Sequence, residues 1–220
     1  MNKMKKITIV TGHYGSGKTN FTANLALKAS NAGERVTVVD LDIVNPYFRS
    51  ADFDDLFKNS GVRLAAPLYA NTNLDIPALS FDLDFIARSD GYIIVDVGGD
   101  DAGASALGRY ADGLAAYEDD IEMLYVVNMY RRLTGSPEEA AELMNEIECA
   151  SKMKCTALVN NSNLGEETVA ETVERSIPYA EKISELTGIP LFFTVVTDGV
   201  RANVPNPFSA RVYVKKLWED

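Results

Sequence analysis

Short apolar, β-branched runs recur along this chain, separated by stretches whose apolar positions follow helical spacing. Ile7-Thr8-Ile9-Val10 reads as a buried strand, and Lys18 to Ala32 as a helix with Phe21, Leu25 and Ala29 on one face. Gly33 stops that helix where a left-handed cap favours glycine. Val36-Thr37-Val38-Val39 is the second strand and ends in Asp40-Leu41-Asp42. The pattern predicts a helix around Tyr47 to Asn59 closed by Gly61, a strand within Val62 to Ala66, and a helix over Pro77 to Arg88. Tyr92-Ile93-Ile94-Val95 is the next strand and delivers Asp96 into Gly98-Gly99, followed by a small-residue helix from Ala104 to Tyr117. Met123 to Val127 is a strand ending at Asn128. Ser136-Pro137-Glu138-Glu139 opens a helix with a serine cap, proline in the first turn and acids near its positive end. Thr156 to Val159 is a strand ending at Asn160-Asn161, and Glu166 to Leu186 is helical, broken at Pro178 and stopped by Gly188. Leu191 to Val196 reads as the last strand, and Ser209 to Trp218 as a terminal helix.

Strands thus alternate with helices almost throughout. The expected fold class is α/β, a mostly parallel sheet with helices on both faces and ligands at the carboxyl ends of the strands. No repeat, low-complexity linker or composition break divides residues 1–220, so they read as one domain.

The first strand leads straight into Gly12-His13-Tyr14-Gly15-Ser16-Gly17-Lys18-Thr19, a full Gly-x-x-x-x-Gly-Lys-Thr spacing. Its glycines let consecutive N–H groups turn inward as an anion nest, and the following helix adds its positive end. Lys18 is placed to neutralise β- and γ-phosphate oxygens, and the Thr19 hydroxyl to coordinate Mg²⁺. The expected nucleotide contacts run through the loop into the helix, from Gly12 to Asn20. Asp96, at the end of an apolar strand, suits an acid that holds Mg²⁺ or its water. Asp40 and Asp42 lie two apart at another strand end, sharing a side if strand geometry persists. One of them would orient the attacking water or join the metal shell. The run from Asp96 to Gly103 reads either as a switch sensing the γ-phosphate or as a turn whose Asp100 or Asp101 caps the following helix.

Composition narrows the partners. Hydrophobic residues make up 46% and charged residues 24% of 220, which is ordinary for a globular chain. With no long apolar segment or cleavage site after the basic start, the expected location is cytoplasmic. The net charge of -11 disfavours DNA and anionic membranes as partners. Cys149 and Cys155 are too few for a disulfide framework and read as buried thiols, with a metal shared across a dimer as the alternative.

On these residues the chain resembles the ParA/MinD/Mrp group of P-loop ATPases. Gly12 to Thr19 is similar to that group's Gly-Lys-Gly-Gly-x-Gly-Lys-Thr loop. Val38 to Pro46 is similar to its Asp-x-Asp segment, and Tyr92 to Gly99 to its Mg²⁺ segment. The resemblance implies ATP and Mg²⁺ as cofactors. It casts Lys18, Asp40 and Asp42 as catalytic, Thr19, Asp42 and Asp96 as metal-side residues, and Asn161 as the asparagine that contacts adenine. A guanine-reading Asn-Lys-x-Asp is absent from Asn160-Asn161-Ser162-Asn163.

The chain departs from the group at His13, where a signature lysine reaches across a homodimer to the partner's phosphates. An imidazole is shorter than lysine and largely neutral at pH 7. The alternatives are slow hydrolysis, a substituting arginine, or action without that dimer, and Arg49 and Arg109 are the candidate substitutes. The implied function is a slow, switch-like ATPase with an unknown protein client. The alternatives are a small-molecule kinase or synthetase of the dethiobiotin or cobyrinate type, and a non-catalytic nucleotide sensor.

Overall fold

The computed structural model describes residues 4–42, 54–65, 90–99 and 101–213. Among the described residues eight strands form one sheet: β1 (Ile7–Thr11), β2 (Val36–Leu41), β3 (Arg63–Ala65), β4 (Tyr92–Val97), β5 (Ile121–Val127), β6 (Ala157–Asn160), β7 (Leu191–Thr197) and β8 (Pro207–Ala210). Their spatial order is β3-β2-β4-β1-β5-β6-β7-β8, and every pairing is parallel. The chain fills one side of β1 with β2 to β4 and the other with β5 to β8. The carboxyl end of β1 is therefore the topological switch point, where such sheets place their ligands.

The helices are α1 (Lys18–Asn31), α2 (Asp54–Asn59), α3 (Asp101–Gly108), α4 (Ala111–Leu114), α5 (Pro137–Ser151), α6 (Ala170–Glu174) and α7 (Ile177–Thr187). Alternation along the strands sorts their side chains into two cores. Val10, Val38, Ile94, Leu124 and Val126 pack with Phe21, Leu25 and Ala29 of α1, and the Phe21, Phe193 and Phe208 rings close that layer. Ile9, Val39, Val95, Met123 and Tyr125 pack on the opposite face against Leu107, Met144, Ile147 and Ile183. Strands buried on both faces explain why they read as continuous apolar runs.

The helix α5 begins as its sequence predicts. Ser136 Oγ accepts the Glu139 N–H at 3.2 Å and Glu139 Oε2 accepts the Ser136 N–H at 3.1 Å, a capping box with proline in the first turn.

Several expectations are corrected. Ser209 starts no helix: Pro207–Ala210 is an eighth strand, parallel to β7. It is an edge strand with proline first, where a missing ladder donor does no harm, and Phe208 and Ala210 alternate into the α1-side core. Leu191–Thr197 is consequently not the last strand; residues 211–213 are not helical either, and residues 214–218 of the expected terminal helix lie outside the described residues. The helix expected from Ala104 to Tyr117 is α3, α4 and a 3-10 turn, Ala115–Asp120, in succession. A Cβ on Gly108 would lie 2.5 Å from the Ala150 carbonyl oxygen, so close packing on α5 fixes a helix-weak glycine there. The break in Glu166 to Leu186 falls before Ile177, with Pro178 in the first turn of α7. The helix expected over Pro77 to Arg88 and the residues from Tyr47 to Phe53 lie outside the described residues. Cys155 is buried, which pushes its thiol well above the ordinary range, whereas Cys149 is exposed.

Candidate functional site

The loop after β1 is hemmed in at two of its glycines, by the β5 backbone at Gly12 and by the Asn161 side chain at Gly17. A Cβ on Gly12, where φ is +146°, would meet the Val126 carbonyl oxygen of β5 at 2.3 Å. A Cβ on Gly17 would meet Asn161 Nδ2 at 2.3 Å, and Gly17 takes the left-handed conformation that turns the chain into α1. Asn161 itself is buried and donates from Nδ2 to the Ser16 carbonyl at 2.7 Å. It therefore clamps the loop from the end of β6.

Inside the loop, Lys18 is buried and folds back, donating from Nζ to the His13 carbonyl at 3.2 Å. Ser16 Oγ is fully buried and has no hydrogen-bond partner among the described residues. A buried hydroxyl without a partner is costly, and an oxyanion placed in the nest would satisfy it. His13 Nδ1 lies 2.8 Å from the Tyr14 carbonyl, which can only accept, so Nδ1 carries a proton and the ring is pinned to its own loop. Tyr14 is half exposed.

The carboxylates converge from β2 and β4. Asp40 and Asp96 are paired in register and 2% and 1% exposed, so they stand side by side on neighbouring strands. Asp96 Oδ1 accepts the Thr22 hydroxyl of α1 at 3.2 Å. Asp40 Oδ1 accepts the Asp42 N–H at 2.9 Å, so the chain turns after Leu41 and strand alternation does not extend to Asp42. Asp42 stays close by another route: a Cβ on Gly98 would lie 3.1 Å from Asp42 Oδ1. Hard carboxylate and hydroxyl oxygens of this kind suit Mg²⁺.

The segment after β4 lies directly on the loop. The Gly99 carbonyl accepts the Tyr14 N–H at 2.9 Å, and a Cβ on Gly99 would sit 2.5 Å from Lys18 Nζ and 2.6 Å from the Tyr14 nitrogen. Asp101 opens α3 immediately afterwards; Asp100 lies outside the described residues.

Asn20, expected beside nucleotide, is engaged by the strand-to-end segment. Its Nδ2 donates to the Arg211 carbonyl at 2.9 Å and its Oδ1 accepts the Tyr213 N–H at 2.8 Å. Thr19 is the second residue of α1, after Lys18. Arg49 lies outside the described residues. Arg109 follows α3 at its far end, roughly 12 Å along the axis from its start, next to Gly108, which packs on Ala150 of α5. Arg131, which sequence reasoning passed over, lies beside the loop. Its Nε is 3.6 Å, and its Cδ and Cζ 3.8 Å, from the position of a Cβ on Gly15. Its only sequence signal was its position shortly after a strand end.

A glycine nest at the switch point, feeding a helix and flanked by strand-end carboxylates, places the molecule among the P-loop α/β nucleoside-triphosphatase folds. A family model for the CobQ/CobB/MinD/ParA nucleotide-binding domain matches residues 7–187, and the chain belongs to that family.

Solved structures agree on the fold. FtsY from Mycoplasma mycoides superposes with a TM-score of 0.60 at 18% identity, covering 86% of this chain and 60% of that one. The signal recognition particle 54 kDa protein from Aeropyrum pernix, in complex with GDP, gives 0.56 at 18% identity, covering 88% and 42%. The receptor FtsY from Elizabethkingia anophelis, also with GDP, gives 0.56 at 20%, covering 89% and 58%. This chain spans less than two thirds of each. No curated protein matches it significantly. Among the described residues no helix is long and apolar enough to cross a membrane.

Proposed function

We propose that this chain is a Mg²⁺-dependent ATPase that acts as a nucleotide-dependent switch for a protein client. The observation that carries the reading is Gly99 seated on the phosphate loop. Its carbonyl holds the Tyr14 N–H, and its backbone lies against Lys18. A γ-phosphate drawn to the same amide and ammonium would displace Gly99, and its departure on hydrolysis would let Gly99 return. That exchange couples nucleotide state to the start of α3.

In this reading Lys18 and the loop amides neutralise phosphate charge, and Asp40 orients water at the end of β2. Bound Mg²⁺, held by Thr19, Asp42 and Asp96, would supply further charge neutralisation to the phosphates. Asn161 and the loop after it would receive the base. Asn163 stands where guanine recognition would want a carboxylate; its Nδ2 donates to the Asn161 carbonyl and its Oδ1 accepts the Gly165 N–H. An amide so engaged supports adenine over guanine.

One observation favours a second reading. A cleft of about 490 Å³ opens beside His13, Tyr14 and Gly99 and runs between Ala104 of α3 and Leu143 and Ile147 of α5. That volume suits a small molecule, as a phosphate-accepting substrate of a kinase or synthetase would require.

Phosphate release from ATP and GTP, with Mg²⁺ and with chelator, separates these readings when molecular mass is recorded alongside. The switch reading expects slow Mg²⁺-dependent ATP turnover, lowered about a hundredfold or more by Asp40→Asn. Tight ATP binding with no turnover would leave a sensor, and turnover only with an added small acceptor would favour the second reading.

A further inference from the structure

We propose that Arg131 contacts the polyphosphate of bound nucleotide in cis, supplying from within the chain a cation that His13 does not. The inference rests on reading the Gly12 to Thr19 loop as the phosphate site. It concerns a residue on a different element, at the end of β5.

The turn after β5 is tied down at each step. Asn128 Oδ1 accepts the Tyr130 N–H at 3.0 Å, and the Asn128 carbonyl accepts both the Arg131 N–H at 3.1 Å and the Thr134 hydroxyl at 3.0 Å. The Met129 N–H donates to Ser162 Oγ at 3.0 Å, and Tyr130 Oη donates to the Thr172 carbonyl at 2.7 Å. Arg131 itself is extended, with φ -102° and ψ 137°, immediately before the 3-10 turn Arg132–Thr134. Its backbone is thus fixed by its neighbours, and its side chain is left to reach the loop.

There it lies beside Gly15. Gly15 has φ +76°, and a Cβ there would stand 3.6 Å from Arg131 Nε and 3.8 Å from its Cδ and Cζ, so the guanidinium lies alongside the loop at Gly15. Arg131 is exposed and makes no ion pair among the described residues, in a chain of net charge -11. An unpaired arginine on the rim of an anion nest has its donors available for phosphate oxygens. Its planar fork can address two of them at once, which a lysine cannot. Lys18 works from within the loop, and Arg131 from its outer surface.

The test compares Arg131→Ala, Arg131→Lys and the adjacent control Arg132→Ala with wild type. Affinities for ATP, ADP and adenosine, ATP turnover, and the unfolding midpoint of the ligand-free protein are measured for each. Arg131→Ala is expected to weaken ATP and ADP binding about tenfold to a hundredfold, leave adenosine unchanged and slow turnover at least as much. Arg131→Lys should recover part of the loss, and Arg132→Ala should stay within about twofold of wild type. ATP binding by Arg131→Ala within about twofold of wild type, while Lys18→Ala loses it, overturns this inference and leaves the loop's role standing. A fall in ligand-free stability that accounts for the binding loss also overturns it, because Arg131 would then be a structural prop. Equal ATP binding by wild type and Lys18→Ala would refute the phosphate-site reading itself.

Discussion

Gly99 shows how little room the loop leaves for variation at single residues. Its missing side chain allows a backbone carbonyl to reach the Tyr14 amide at 2.9 Å. A methyl at that position would meet the Tyr14 nitrogen at 2.6 Å, and backbone cannot step aside cheaply. Gly99→Ala is expected to break this contact and destabilise the ligand-free protein by about 1–2 kcal/mol, a fall of roughly 2–8 °C in midpoint. If nucleotide lifts Gly99 away, saturating ATP should shrink that deficit in a thermal scan. An undiminished deficit would argue against the exchange. His13 and Asn161 mark the limit of what sequence could say at this scale. The residue types were legible, but the Nδ1 contact to Tyr14 and the clamp on Ser16 depend on where β6 returns in space.

Among the elements, the interior strands and α5 were the most legible, because an apolar run and a capping box are local signals. The edge strand β8 was not. It is four residues long, opens with proline, and is fixed by partners far away in sequence. Asn24 of α1 donates to the Arg211 carbonyl at 2.8 Å and accepts the Arg211 N–H at 2.8 Å, fastening the end of β8 to the helix that carries the loop. Asn24→Ala should cost about 1–3 kcal/mol and speed amide exchange selectively over Phe208 to Arg211. Exchange unchanged there would show that β8 is held by its core contacts alone.

A second element-level prediction concerns pH. Glu122 of β5 accepts the Thr8 hydroxyl of β1 at 2.8 Å and the Lys5 N–H at 3.3 Å, and burial holds its carboxyl above the ordinary carboxylate range despite these bonds. A folded-state value raised above the unfolded one stabilises the fold at low pH, and that contribution is lost as pH rises through the folded value. Glu122→Gln keeps an acceptor without the charge. Denaturant unfolding should show its advantage over wild type growing as pH rises from the ordinary carboxylate range toward neutrality. A constant difference between the two proteins across that range would contradict the assignment.

For the molecule as a whole, the alternation of strand and helix foretold the parallel sheet, and the strand order then puts the loop motif at the switch point after β1. Juxtapositions stayed hidden, since periodicity reports faces and not neighbours. Arg131 lies far from Gly15 in sequence and beside it in space. The same reasoning makes the phosphate loop the centre of the account: β5, β6, β4 and the β8 segment all make contacts with it or with α1. Calorimetric titration of ATP with Mg²⁺ into wild type and Lys18→Ala tests that centre most directly. The account predicts one binding site per chain in wild type, and affinity at least about a hundredfold weaker in the variant at unchanged ligand-free stability. Equal binding by the two proteins, or none by wild type, would contradict it.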